Sequence, residues 1–365
     1  IVFLFRDYMS KLLSQGGFGC VYYPGIACDG TKDPRKTIVT KLQKRDFNAD
    51  NEVIIGGMIK EIPSYRLYYL PVIDSCPVNI RNIDNELISD CRVVAKSQNV
   101  PFVLMSVPYV SNRGFFNVLT DPSLGRKQVI STLARTYGYL LSAIKKLLGI
   151  GVVHFDLKGD NILYNLVTKD PQIIDFGISL PVERLTRETW RNYFYAYAPE
   201  YHVWPLEVHL ISFLLHESST LNDVDVSVIV RQYTKGNKTL GILSIESRAK
   251  YIKQCEVCLK RYVSRPMEDV IPELIAQYKT WDNYGLSVMY IKALTHLFPR
   301  GVHRNKILSQ FTQLLLLNIS PEFSTRISIG DTQLRFEKIF FSGGHLGEYE
   351  KLVDEKYESV LKTDK

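Results

Sequence analysis

The chain has 365 residues, of which 45% are hydrophobic, 23% charged and 12% aromatic. That length exceeds what one small core serves and suits two lobes or domains, and the composition excludes disordered, collagenous and disulfide-rich scaffolds. Forty-five cations against 38 anions leave a net charge of +7, a mild bias towards phosphate groups and acidic partners that makes no case for nucleic acid.

Ile1 to Phe5 is apolar but too short for a signal h-region, and Arg6 and Asp7 follow at once. An opening residue other than methionine reads as a fragment. No run of 18 apolar residues occurs, so no membrane partner is expected and the chain reads as cytoplasmic. Lys11 to Leu13, Cys20 to Tyr23, Thr37 to Leu42 and Phe102 to Val107 read as strands, and Asn48 to Ile62 has helical spacing up to a stop at Pro63. These elements predict a small antiparallel sheet with one helix.

Between the first two strands lies Ser14-Gln15-Gly16-Gly17-Phe18-Gly19-Cys20-Val21. Glycine lets a backbone approach phosphate closely, although such a cluster also makes a plain hairpin turn. Ile38-Val39-Thr40-Lys41 is a strand ending on a lysine able to reach nucleotide phosphates; standing alone it would be a solvated charge. The cysteines at 20, 28, 76, 91, 255 and 258 are too sparse for a dense disulfide framework. Cys255 and Cys258 have half a zinc site's spacing but read as buried neighbours on a helix.

Asp121-Pro122-Ser123 signals a helix start, after which Leu133, Tyr137, Leu140, Leu141, Ile144, Leu147 and Leu148 recur at helical spacing. Short strand-like pieces follow near Ile162-Leu163 and Ile173-Ile174, and beyond Pro199 the pattern is mostly helical. The expected organisation is an N-terminal lobe over 1–108, a hinge at 109–114, a helical lobe over 115–345 and a tail over 346–365.

His154-Phe155-Asp156-Leu157-Lys158-Gly159-Asp160-Asn161 is followed by Asp175-Phe176-Gly177 and then by Ala198-Pro199-Glu200. In this order, behind the glycine loop and the strand lysine, the chain resembles the eukaryotic protein-kinase family, serine/threonine branch, from about Lys11 to Phe341. The resemblance implies an α+β, bilobal fold with a small β-rich lobe and a large, mainly helical lobe. It also implies transfer of the γ-phosphoryl group of ATP, held on Mg²⁺, to serine or threonine hydroxyls of a protein substrate. Phosphoryl transfer asks a protein mainly to position groups and neutralise charge. By resemblance Asp156 takes the acceptor proton, Lys158 and Lys41 offset phosphate charge, and Asn161 and Asp175 hold the metal. Nucleotide contacts are implied for Ser14, Gln15, Gly16, Gly17, Phe18, Gly19, Val21, Lys41, Glu52 and Met105. The glutamate expected to pair with Lys41 is Glu52 or Glu61, and counting back from the helix stop favours Glu52. The tracts Tyr22 to Cys28 and Tyr201 to Glu207 resemble kinases of large nucleocytoplasmic DNA viruses, which would put the chain in a host cytoplasm or a virion.

Three departures from the family pattern stand out. Ser14 stands where the first loop glycine would be. Phe155 replaces the arginine that pairs with an activation-loop phosphate, so loop phosphorylation should lose its physical link. No aspartate near Ser212 opens a buried helix, whereas Trp281-Asp282-Asn283-Tyr284-Gly285-Leu286 has the required pattern. An insertion over about 201–279 is therefore expected, with Asp282 hydrogen-bonded to the catalytic-loop backbone; the rival helix start lies near Trp204. Arg326 in Ser324-Thr325-Arg326-Ile327-Ser328 is expected to pair with Glu200. The alternatives are a pseudokinase scaffold, disfavoured by the presence of Lys41, Asp156, Asn161 and Asp175, and a small-molecule kinase, whose relatives typically lack Ala-Pro-Glu and the late arginine.

Overall fold

The computed structural model describes residues 10–96, 100–299, 301–302 and 305–341; the apolar opening and the expected tail lie outside the described residues. In chain order the first elements are β1 (Lys11–Gln15), β2 (Gly19–Tyr23), β3 (Ile38–Lys44), α1 (Phe47–Lys60), β4 (Asp74–Val78), α2 (Asn85–Ile88), α3 (Arg92–Ala95) and β5 (Phe102–Pro108). Then come β6 (Asn112–Gly114), α4 (Phe115–Leu119), α5 (Arg126–Gly149), β7 (Val152–Val153), β8 (Ile162–Asn165), β9 (Pro171–Ile173), β10 (Leu180–Pro181) and α6 (Trp190–Tyr193). The remainder is helical: α7 (Leu206–His216), α8 (Asp223–Thr234), α9 (Ile245–Lys260), α10 (Met267–Ile275), α11 (Trp281–Leu297), α12 (Lys306–Asn318) and α13 (Ile329–Phe340). The architecture is α+β, with an antiparallel, sheet-rich N-terminal part and a helical C-terminal part, compatible with a bilobal kinase-like fold. No described helix is long and apolar enough to cross a membrane.

The chain divides into two compact units, the first made of residues 1–113 with 163–179 and the second of 114–162 with 180–365. In unit 1, five antiparallel strands run in the order β1-β2-β3-β5-β4. The four expected strands are present. Sequence reading misses β4, whose Asp-Ser-Cys-Pro-Val is polar and carries a proline; an edge position tolerates both.

Register sorts this sheet into two faces, because directly opposed residues share a side. Val21, Lys41 and Met105 stand in one row, and Cys20, Leu42, Leu104 and Cys76 in the next. On the first face, α1 sets Ala49 and Val53 against Val72, Val103 and Met105. Asp46 caps this helix by accepting the Ala49 N–H at 2.9 Å, an interaction worth about 1 kcal/mol. A Cβ at Gly56 would meet the Val72 carbonyl oxygen at 2.5 Å, so only glycine lets α1 lie this close.

On the second face, Cys20, Leu42, Phe102 and Leu104 are covered by Ile83, Ile88, Val93 and Val94 from the α2–α3 segment. Disulfides Cys20–Cys91 and Cys28–Cys76 fasten that region. Four of the six cysteines are thus paired, which their sparse spacing does not announce: each bridge joins positions neighbouring only in the folded sheet. Cys255 and Cys258 are buried free thiols on α9, and burial pushes the Cys258 thiol up to about 11.

In unit 2 the centre is α11, buried at every residue from Trp281 to Ile291. Tyr137 of α5 lies 4.8 Å from Tyr290, 4.9 Å from Phe311 and 5.1 Å from Phe336 in an aromatic core. The long helix begins at Arg126, later than the signal at Asp121, because the Asp121 carboxylate accepts the Ser123 N–H at 3.0 Å and spends itself in a turn.

Candidate functional site

The candidate residues form two groups, one in each unit. In unit 1, Lys41 on β3 is bonded to Glu52 on α1 at 2.7 Å and to Asp175 at 2.9 Å. The lysine side chain is 13% exposed and that of Glu52 4%. Burial by itself would lower the lysine pKa, but the pull of Glu52 and then Asp175 outweighs it and holds the ammonium well above its usual range. Glu61 is exposed at the C-terminal cap of α1 and takes no part. Asp175 adopts a left-handed backbone (φ 65°), and Asn51 of α1 ties down the residues after it by donating to the Gly177 and Ser179 carbonyls at 3.1 and 2.8 Å. Phe176 is buried and meets Tyr69 edge-on at 6.2 Å.

The glycine loop is the β1–β2 turn, closed by Gly16 N–H donating to the Gly19 carbonyl at 2.9 Å. A Cβ at Gly19 would strike the Leu42 carbonyl oxygen at 2.5 Å, whereas Gly16 and Gly17 face open space. Ser14 and Phe18 are exposed, and a register shift lies between Leu12 and Ser14. Gln15 is turned towards α3, where its Oε1 accepts from the Arg92 backbone and Nε at 3.2 and 3.1 Å. Val21 and Met105 flank Lys41 across the sheet, Met105 fully buried.

In unit 2 the segment that leads into Asp156 is fixed from below. The Asp282 carboxylate accepts the His154 N–H at 2.7 Å and the Phe155 N–H at 2.9 Å, as expected from its pattern. Two backbone donors that would otherwise be buried without partners are thereby satisfied. Burial raises the Asp282 carboxyl pKa, opposed by His154 and these two bonds. Phe155 has a positive φ of 68°, a strained conformation costing about 1–3 kcal/mol. Its ring offsets that cost by stacking on Trp204 at 4.9 Å and touching Phe194 and Trp281, each at 5.7 Å. Trp204 also donates from Nε1 to the Phe155 carbonyl at 2.8 Å.

Asp156 is buried, and its Oδ2 accepts from Asn161 Nδ2 at 2.8 Å and Lys158 Nζ at 2.9 Å. Its Oδ1 accepts from the Tyr201 hydroxyl. The Asn161 Nδ2 also donates to the Asp156 carbonyl at 3.0 Å, so both its contacts use the nitrogen and Oδ1 remains a hard oxygen donor. A Cβ at Gly159 would overlap the Phe116 ring, which explains glycine within the loop. Beside Asp156 opens a cleft of about 300 Å³ whose walls include Lys158, Tyr201, His202, Val203, Met289 and Lys292.

The expected Glu200–Arg326 pair is absent. Glu200 is exposed, and Arg326 instead forms a fork with Glu207, Nη1 to Oε1 at 2.7 Å and Nη2 to Oε2 at 2.5 Å. The two side chains are 1% and 0% exposed. Glu207 also accepts from Trp281 Nε1 at 3.0 Å, and Arg326 donates from Nε to the Ser320 carbonyl at 2.9 Å. Glu207 wins because it lies in the first turn of α7, where the helix favours an anion and Pro205 turns the chain inward. Proline and glutamate recur in Pro205-Leu206-Glu207, which was the available signal. Residues 201–207, read from sequence as the start of inserted chain, therefore engage Phe155, Asp156 and α11 through Tyr201, Trp204 and Glu207; α7 to α10 fill the stretch up to Asp282. Motif reading did not assign Tyr201, Trp204 and Glu207, which lie against the Asp156 segment and α11.

No family model matches the chain. Over 78 residues it is 35% identical to the cell division cycle 7-related protein kinase of Mus musculus, a match covering 21% of this chain and 13% of that protein. The chain is thus similar, over a short stretch, to a protein kinase.

Proposed function

We propose that the chain is an ATP-dependent serine/threonine protein kinase. One observation carries this reading: a strand lysine, a helix glutamate and the aspartate of Asp-Phe-Gly converge in one ion triad, Lys41, Glu52 and Asp175. Kinase chemistry requires that lysine–glutamate pair and that aspartate to be in place. A partly buried triad with no ligand-binding task would be a poor source of stability, since desolvation consumes most of the attraction.

The residues suit Mg²⁺ and ATP in donor chemistry: a carboxylate at Asp175, a carboxamide oxygen at Asn161, and open space over Gly16 and Gly17. When bound, Mg²⁺–ATP supplies the activated phosphoryl group. Lys41 would then hold phosphate oxygens, the hard oxygens of Asp175 and of Asn161 would each be available to the metal, and the glycine loop would bring backbone N–H groups close to phosphate. Asp156 orients the acceptor hydroxyl and receives its proton, while Lys158 offsets developing charge. The test is Asp175→Ala: the thermal stabilisation that Mg²⁺–ATP gives the wild type should be lost, and with it phosphate transfer to a casein-type or a basic generic protein. Stabilisation equal to wild type would refute this role.

Regulation follows from Phe155. Aromatic contacts to Phe194 and Trp204 fasten the segment that a phosphate–arginine pair fastens elsewhere. Phosphatase treatment should therefore change activity by less than tenfold, or about 1.4 kcal/mol of barrier; a larger loss in the transfer assay would show that a cation reads a loop phosphate. The scaffold alternative draws support from the Tyr201 hydroxyl on Asp156, and predicts Mg²⁺–ATP binding with no transfer.

A further inference from the structure

We infer that Tyr201 occupies the seat of the acceptor hydroxyl, so that a protein substrate must displace its side chain before reaction and Tyr201 sets acceptor affinity. This rests on the reading of Asp156 as the group that receives the acceptor proton. A carboxylate offers two oxygens. Asn161 and Lys158 both donate to Oδ2, which leaves Oδ1 for an incoming hydroxyl, and the Tyr201 hydroxyl already donates there. Lys158 Nζ lies 3.1 Å from the same tyrosine oxygen and 5.6 Å from the ring centre. A neutral O–H donating to Asp156 with an ammonium beside its oxygen is the arrangement a serine or threonine hydroxyl would need.

The chain is built so that the side chain can leave without the backbone. Tyr201 N–H donates to the Ala198 carbonyl at 2.9 Å and its carbonyl accepts the Trp204 N–H at 3.1 Å. Trp204 is in turn anchored to Phe155. The Tyr201 ring is only partly buried, touches Trp204 edge-on at 5.0 Å and forms one wall of the cleft of about 300 Å³. Rotation about its side-chain bonds exchanges one hydroxyl for another on the carboxylate and costs little apolar burial. Because a hydrogen bond to a charged group is about twice as strong as a neutral one, the competition has leverage.

The test compares wild type with Tyr201→Phe, which keeps the ring and removes only the competing oxygen. With a serine peptide that the wild type phosphorylates, KM for the peptide should fall about tenfold while kcat stays at or above half its wild-type value. The Ki of the same peptide with serine changed to alanine should be equal in both proteins, since that peptide never needs Oδ1. A tenfold loss of kcat at unchanged KM would overturn the inference, making Tyr201 a support for Asp156. An equal fall in KM and in the alanine peptide's Ki would also overturn it, placing the effect in the cleft. Absence of transfer by both proteins, with Mg²⁺–ATP still bound, would defeat the kinase reading and this inference with it.

Discussion

Asp156→Asn is expected to lower kcat by about a thousandfold, within the 10²–10⁴ range for a lost general base, with the Mg²⁺–ATP thermal shift retained. The asparagine matches the aspartate in shape, so the loop should keep its fold. The environment does not tolerate the change chemically. Oδ2 receives two donors and Oδ1 a third, all from Asn161, Lys158 and Tyr201. An amide nitrogen in the Oδ2 position sets donor against donor, one in the Oδ1 position makes the Tyr201 hydroxyl turn and accept, and in neither case can the amide take the acceptor proton. A thousandfold loss equals about 4 kcal/mol of barrier. Steady-state phosphate transfer beside a thermal-shift titration checks both halves; turnover near wild type would remove Asp156 from its assigned role.

Glu207→Ala is expected to destabilise the protein by about 3–5 kcal/mol, the cost of leaving a buried cation without its partner. Arg326 would keep only the Ser320 carbonyl, Thr280 and the face of Tyr284. Trp281 Nε1 would lose its acceptor as well. Glu200→Ala, at an exposed site, should stay within about 0.5 kcal/mol of wild type. Urea unfolding of the two variants decides the matter, and equal midpoints would mean that the Glu207–Arg326 fork contributes nothing. Arg326→Ala combined with Glu207→Ala should cost less than the two single changes added together, because the second removal relieves the stranded charge.

What sequence could show follows the range of each interaction. The glycine loop, Lys41, the His154–Asn161 stretch and Asp175-Phe176-Gly177 are contiguous, and residue chemistry at fixed spacing defines them. Glu52 was reachable by counting back from Pro63, and Asp282 because its helix start is a local pattern. The expected pairing of Arg326 with Glu200 failed because Glu207 also follows a proline closely, and only burial separates the two. The α2–α3 cover and the disulfides depend on a register that brings Cys20 and Cys76 to one face of the sheet. Tyr201 carried no signal, since an acceptor seat is defined by where a side chain ends in space.

The two bridges of unit 1 are nested, the ring closed by Cys28 and Cys76 lying inside that closed by Cys20 and Cys91. Closing rings of this size stabilises a fold by about 4 kcal/mol for the larger and somewhat less for the second, whose free span is already shortened. Among the described residues unit 2 holds only the free thiols of Cys255 and Cys258. The cohesion of the two units therefore answers to different conditions. Electron supply governs the half that carries the glycine loop and Lys41, because a reductant loosens the cover behind their sheet. The half that carries Asp156 is held by packing, hydrogen bonding and ion pairing, with no disulfide among its described residues for a reductant to open.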